Sequence, residues 1–259
     1  MNSISPMHND LTPILCSFDP ITLAEMDRVK LLDRMDTKFV FNYNQLPGIL
    51  ESLPEYYKIL DVDGVKQNRY ETLYFDTPDF NLYLDHHNGR TNRYKVRYRK
   101  YVDSDLVFFE VKYKNNKGRT LKSRVKRKNI HEVIEGKSTE LINEKTPFSP
   151  EGLQSKLWVN YSRITLVNKS STERLTLDLD LLFKKEEQMI GYENLVIAEV
   201  KQEELGASPF IDVMKINHVR EGSISKYCFG VIALIDGIKK NNFKSNLLTL
   251  NKLCYETKN

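Results

Sequence analysis

The chain has 259 residues, 40% of them hydrophobic and 29% charged, with a net charge of +4. Its longest apolar stretch, Cys228–Ile235, is too short to span a bilayer, and no basic segment followed by an apolar run opens the sequence. Its three cysteines (Cys16, Cys228, Cys254) are far apart with no C-x-x-C pair, which argues against a disulfide framework or a structural zinc site and leads us to expect a cytoplasmic protein.

Asp19-Pro20 ahead of Ile21–Leu32 predicts a helix capped by Asp19, with Pro20 in its first turn. Period-two segments then dominate. They fall at Arg34–Phe41, Tyr70–Asp76, Arg93–Tyr101, Leu106–Tyr113, Thr120–Lys128, Tyr161–Val167, Glu173–Phe183 and Leu195–Lys201. Asn115-Asn116 and Gly118 mark a hairpin turn between two of them. Helical patches are expected at Tyr43–Ser52, at His131–Glu135 and near Glu140–Glu144, and a longer helix over much of Ser223–Lys240. Neither a repeat nor a linker interrupts the pattern. One antiparallel α+β domain over residues 1–259 is expected, with a core from about residue 18 to about residue 236 and tails at both ends.

Charge is spread unevenly. Arg90–Lys128 holds 15 Lys and Arg against three acids, a local net of +12 that leaves −8 for the rest of the chain. Such asymmetry predicts a polyanionic partner. Arg93, Lys95, Arg97 and Arg99 point to one side of their strand, and Tyr94, Val96 and Tyr98 to the other. Lys122, Arg124, Lys126 and Lys128 share a face of the next-but-one strand. Like charges two residues apart repel unless something anionic lies between them. The same parity recurs in Arg34, Asp36 and Lys38, in Glu110 and Lys112, in Arg174, Thr176, Asp178 and Asp180, and in Glu199 and Lys201. Eight such strands can close into an antiparallel β-barrel tunnel, polar inside and covered by helices outside.

Arginine forks bind phosphate oxygens bidentately and lysines add point charges, so a row of them suits a linear phosphate chain. Phosphoryl transfer asks mainly for positioning and charge neutralisation, with metal ions bridging the phosphates. Glu199 is the first candidate metal ligand, with Glu110, Asp178, Asp36 and Asp180 behind it. For Asp36 and Asp180 taken singly, an internal salt bridge is the better reading. The phosphate loop, the dinucleotide glycine motif and the G-x-S-x-G elbow are absent. His86-His87 lacks the spacing of a zinc helix. Tyr94, Tyr98 and Tyr101 are read as facing away from the cations, so a nucleic-acid surface is not expected.

Several segments together resemble the VTC (vacuolar transporter chaperone) domain of polyphosphate polymerases, within the CYTH or triphosphate tunnel metalloenzyme superfamily. They are Arg34-Met-Asp-Thr-Lys-Phe39, Leu73–Phe80, Arg93–Tyr101, Phe109–Lys112, Tyr161–Arg163, Arg174–Asp178, Ala198–Lys201 and Ser225–Tyr227, in the family's order. The resemblance implies an eight-stranded tunnel. It implies phosphate contacts from Lys38, Arg97, Arg99, Lys112, Lys122, Arg163, Arg174, Lys201 and Lys226, with Ser225 beside them and Glu199 on the metal. Strand parity adds Arg93, Lys95 and Arg124 to the phosphate-facing set. Lys38, Arg97, Arg99, Glu199 and Lys201 make up the expected catalytic group. Three departures stand out: the superfamily's opening E-x-E-x-K has Arg34 and Asp36 in place of its acids, the arginine of eukaryotic members just before the basic strand has only His87, Arg90 or Arg93 to stand in for it, and Ser223 occupies the place of a second lysine before Ser225. The implied reaction moves the ATP γ-phosphate to inorganic polyphosphate with Mn²⁺ or Mg²⁺. An inorganic triphosphatase and a non-catalytic polyphosphate-binding module are the alternatives. A separate membrane protein could receive the product.

Overall fold

Alternation along the chain becomes pairing between strands. The computed structural model describes residues 10–28, 35–204, 206–222 and 224–255, so Arg34 and Ser223 lie outside the described residues. The strands are β1 (Pro20–Ile21), β2 (Met35–Asn42), β3 (Tyr57–Leu60), β4 (Gln67–Asp76), β5 (Arg93–Tyr101), β6 (Leu106–Lys114), β7 (Thr120–Arg127), β8 (Gln154–Asn168), β9 (Arg174–Lys185), β10 (Gln188–Tyr192) and β11 (Leu195–Gln202). All share one sheet. Eight form a continuous path, β2-β11-β9-β8-β4-β5-β6-β7, with every pairing along it antiparallel. These are the eight segments that periodicity predicts. The hairpin between β6 and β7 turns where expected, with Gly118 at φ +78°.

The path does not close into the expected barrel: β2 and β7 are its two ends. The sheet is barrel-like but open. β7 carries Lys122, Arg124 and Lys126 to the free edge, and a charged edge resists addition of another strand.

Helices differ more from expectation. Asp19 caps nothing, because Pro20 and Ile21 pair in parallel with Ile59 and Leu60 of β3. The helix that follows, α2 (Leu23–Arg28), is capped by Thr22. Its hydroxyl accepts from the Glu25 amide at 3.3 Å, and the Glu25 carboxylate accepts from the Thr22 amide at 2.9 Å, a capping box. The rest of the predicted helix lies outside the described residues. His131–Glu135 is irregular, and α5 (Lys137–Lys145) starts only after Gly136, at φ +54°. The long C-terminal helix shortens to α7 (Lys226–Leu234), capped by Ser225. Also present are α1 (Thr12–Cys16), α3 (Leu46–Glu51), α4 (Asn81–His87), α6 (Pro209–Ile216) and α8 (Lys244–Tyr255). No helix among the described residues is long and apolar enough to cross a membrane.

Apolar residues on the outer face of the sheet form two clusters. One lies under α1, α3 and α6, with Phe39, Leu166, Leu177 and Ala198 fully or nearly buried. The other lies under α5, where Val96, Tyr98 and Phe109 are wholly buried. A third cluster occupies the opposite, cation-bearing face, where α7 packs against Tyr74, Leu157, Tyr161 and Phe183. Gly230 lets α7 sit there: a Cβ at that position would lie 2.7 Å from the Phe183 ring. Thus α7 stoppers part of the hollow that the cations line.

Candidate phosphate-binding site

Register carries the cations onto one face. Lys95, Lys112 and Lys122 lie directly opposite one another across β5, β6 and β7. Arg97, Glu110 and Arg124 form the next row. On the other side of the hollow, Lys38 faces Glu199, Lys201 faces Arg174, and Arg163 faces Asp178. Lys226 and Ser225 reach the same space from α7.

Three carboxylates organise these cations, each between two of them. Arg97 donates from Nε and Nη2 to Glu110 Oε2 at 2.8 and 2.6 Å, and Lys122 pairs with the other oxygen. Arg163 grips Asp178 with two bonds of 2.5 and 2.8 Å, and Lys226 joins it. Glu199 lies 2.7 Å from Lys38 and also pairs with Lys201. Burial alone would raise all three carboxyls, but the adjoining cations outweigh it and hold each well below the usual range. Burial also lowers Lys95, Lys122, Lys201 and Lys226. Lys112 is depressed furthest in character: Arg97 repels its proton first, then burial, then Arg99.

Arg99 and Lys112 have no carboxylate partner among the described residues. Arg99 is 8% exposed, and its Nε has no hydrogen-bond acceptor. Its guanidinium lies over the rings of Tyr70 and Tyr161, at 5.6 and 5.9 Å. Arg93 donates to the Arg90 carbonyl at 2.9 Å, Arg124 covers Phe108 at 4.4 Å, and Arg174 donates to the Met26 carbonyl at 3.1 Å. Lys95 donates to Ser225 Oγ at 3.0 Å.

The acids separate by exposure. Both oxygens of all three are engaged by cations, but the side chains of Glu110 and Asp178 are 0% and 4% exposed, whereas Glu199 is 22% exposed and can be reached from the hollow. Among the described residues no three metal-ligating groups cluster. Magnesium-type ions are commonly held by one or two carboxylates plus substrate phosphates. Of the three acids, Glu199 alone fits that donor set. Asp180 leaves the face altogether: at φ +54° it breaks the alternation of β9, accepts from Gln67 at 3.1 Å and lines an outer cavity with Tyr43 and Asp61.

Tyr94 and Tyr98 face away from the cations as expected, but Tyr101 does not. Tyr101 is an odd-numbered neighbour of Arg97 and Arg99, so it belongs on the cation face, where it meets Tyr70 at 5.0 Å. Tyr70 stacks on Tyr161 at 5.0 Å, and Tyr74 on Tyr227 at 4.9 Å. Tyr74 also accepts from Arg97 at 3.0 Å. Tyr227 donates to Asp76 at 2.5 Å, and Asp76 further accepts from the Leu82 and Tyr83 amides, fastening α7 to α4. The even numbering of Tyr70 and Tyr74, shared within β4, was the available signal. Their rings are covered by one another and by arginines, which leaves no open platform for bases.

Acid should loosen this arrangement. Depressed carboxyls add stability that is complete above their unfolded values of about 4 and is lost as the pH falls through the lower folded values. Melting temperature is therefore expected to drop steeply below about pH 4. A flat profile from neutral pH down to that point and beyond would show that the pairs contribute nothing.

Among curated proteins no relative matches this sequence. Among solved structures, a putative adenylate cyclase from Bacillus halodurans aligns at TM-score 0.49 and 13% identity, covering 79% of this chain and 98% of its own. A Hippeastrum putative adenylyl cyclase, described as having a dominant triphosphatase activity, aligns at TM-score 0.50 and 11% identity, covering 77% and 96%. At that identity the second likeness bears on fold alone, that of an antiparallel, barrel-like α+β sheet. The VTC domain model matches residues 33–235, which include every strand of the cation-lined path, and the chain belongs to the VTC domain family.

Proposed function

We propose that this VTC-domain chain is a polyphosphate polymerase, transferring the γ-phosphate of ATP to a growing inorganic polyphosphate. The observation that supports it best is the row Lys95-Lys112-Lys122, three like charges set directly opposite one another on adjacent strands. Such a row is destabilising by itself, and an extended polyanion laid along it removes the repulsion. A terminal oxygen of the chain attacks the γ-phosphorus, the bond to the β,γ-bridging oxygen breaks, and ADP leaves with that oxygen. Arg97, Arg99, Lys112, Arg163, Lys201 and Lys226 orient the phosphates and offset their charge. Arg93 and Arg124 lie two residues along β5 and β7 from Lys95 and Lys122, and Arg174 lies across the hollow, opposite Lys201. Glu110 and Asp178 hold these cations in place. Glu199 would hold Mn²⁺ or Mg²⁺, which supplies charge neutralisation to phosphates already bound. The chemistry needs no membrane segment in this chain.

Incubation with ATP and Mn²⁺ or Mg²⁺, read on a gel for long polyphosphate and by ADP release, tests the proposal. Long chains are expected. Release of orthophosphate alone would make the protein a triphosphatase instead, and tight tripolyphosphate binding without turnover would make it a binding module.

Glu199→Gln separates the metal role from the ion pair. Turnover is expected to fall by at least about tenfold, with a raised Mn²⁺ requirement, while tripolyphosphate binding without metal holds or tightens. Normal turnover at low Mn²⁺ with a lowered melting temperature would leave Glu199 as the structural partner of Lys38 and Lys201.

A further inference from the structure

Behind α7, away from the tyrosine stacks, α4, α7 and α8 enclose a cavity of about 220 Å³. Its lining is mostly apolar, including Phe229, Ile232, Phe243 and Leu247, and among the described residues no carboxylate, lysine or arginine takes part. His86 supplies polar ring atoms, while the amide and side chain of Asn242 are engaged by His87 and Asn241. Burial first, then the charges of Lys95, Arg93 and Lys114, push the His86 imidazole down to about 3, so it stays neutral with one donor and one acceptor nitrogen. Ser225 also lines the cavity, and its hydroxyl is the one that accepts from Lys95 at 3.0 Å. The cavity therefore abuts the first member of the lysine row.

We infer that this cavity is the nucleobase subsite for the nucleoside triphosphate donor. Its occupant must be uncharged, largely apolar on its faces and polar at its edge, and must be joined to an anionic chain that continues past Ser225 onto Lys95 and Lys112. A purine nucleoside triphosphate has those properties, and ligand pockets commonly combine such apolar walls with a few placed polar groups. A fatty or sterol ligand would fit the walls but has no use for the adjoining cations. The subsite rests on the ATP-dependent function proposed above.

Two measurements test it. In the first, 8-azido-ATP is photolysed with the whole protein and the labelled peptides are mapped. Label on the segment holding Phe243 and Leu247, displaced by ATP, is expected; label confined to other segments would overturn the assignment. In the second, Leu247→Trp fills the cavity from the half-buried face of α8. Weakening of ATP binding by about tenfold is expected, the scale of losing one base–aromatic contact, with tripolyphosphate binding unchanged. Unchanged affinity for both ligands, or equal loss of both, would overturn the subsite. If the unaltered protein binds neither tripolyphosphate nor ATP, the proposed function itself falls, a result distinct from failure of the subsite.

Discussion

Glu110→Gln is expected to destabilise the folded chain by about 3–5 kcal/mol, the scale of leaving a buried charge without its partner. The carboxylate is wholly buried and carries both Arg97 and Lys122. Lys122, 34% exposed, can turn towards water once released. Arg97, 7% exposed, cannot, and its remaining hydrogen-bond partner among the described residues is the Tyr74 hydroxyl. Urea unfolding monitored by circular dichroism measures the loss. Tripolyphosphate should recover part of it, because a ligand bound to the native state alone stabilises by mass action. A loss below about 1 kcal/mol would mean the pair behaves as a surface salt bridge.

Arg99→Ala is expected to act in the opposite direction on stability and far more strongly on turnover. Arg99 has no carboxylate partner among the described residues, and Arg97 and Lys112 lie close enough to feel its charge. Removing it relieves repulsion, so the melting temperature without ligand should hold or rise. Turnover should fall by about one to two orders of magnitude, since a charge-assisted contact is worth about 1.5–3 kcal/mol. Steady-state ADP release, with folding verified, measures this. Unchanged turnover would remove Arg99 from the site. Together the two substitutions distinguish cations held by the protein from cations held for the ligand.

How much of this was legible beforehand depends on the range of the interaction. Strand periodicity is local, and it located all eight strands of the main path, including Arg93–Tyr101 to the residue. It also put Lys38, Arg97, Arg99, Lys112, Lys122 and Lys201 on one face. Parity failed where the backbone departs from it. Asp180 at positive φ and the irregularity between Asn160 and Ser162 exchange faces in β9 and β8, so Leu181 and Phe183 replace acids against α7. Helices were less legible. Asn81–His87 donates its first amide to the Thr77 hydroxyl and its next two to Asp76, both outside the segment, and those partners are not visible in the helix's own sequence. Pro209–Ile216 had a readable start in Ser208-Pro209, a cap and a first-turn proline. The pairing of Asp178 with Lys226, 48 residues apart in sequence, depends on where α7 docks and no local pattern encodes it.

Gly230 gives that docking a mechanical meaning. The missing side chain sets the gap between α7 and β9, and Phe183, with 0% exposure, has no space into which to retreat. A methyl group at 230 would work as a wedge under a lever one turn from its end. The helix would tilt outward, and Lys226 and Ser225 at its tip would be carried off Asp178 and Lys95. Spacing between two apolar surfaces thereby sets the spacing between charges, so a substitution that touches no ionisable group would still detune the electrostatics of the hollow.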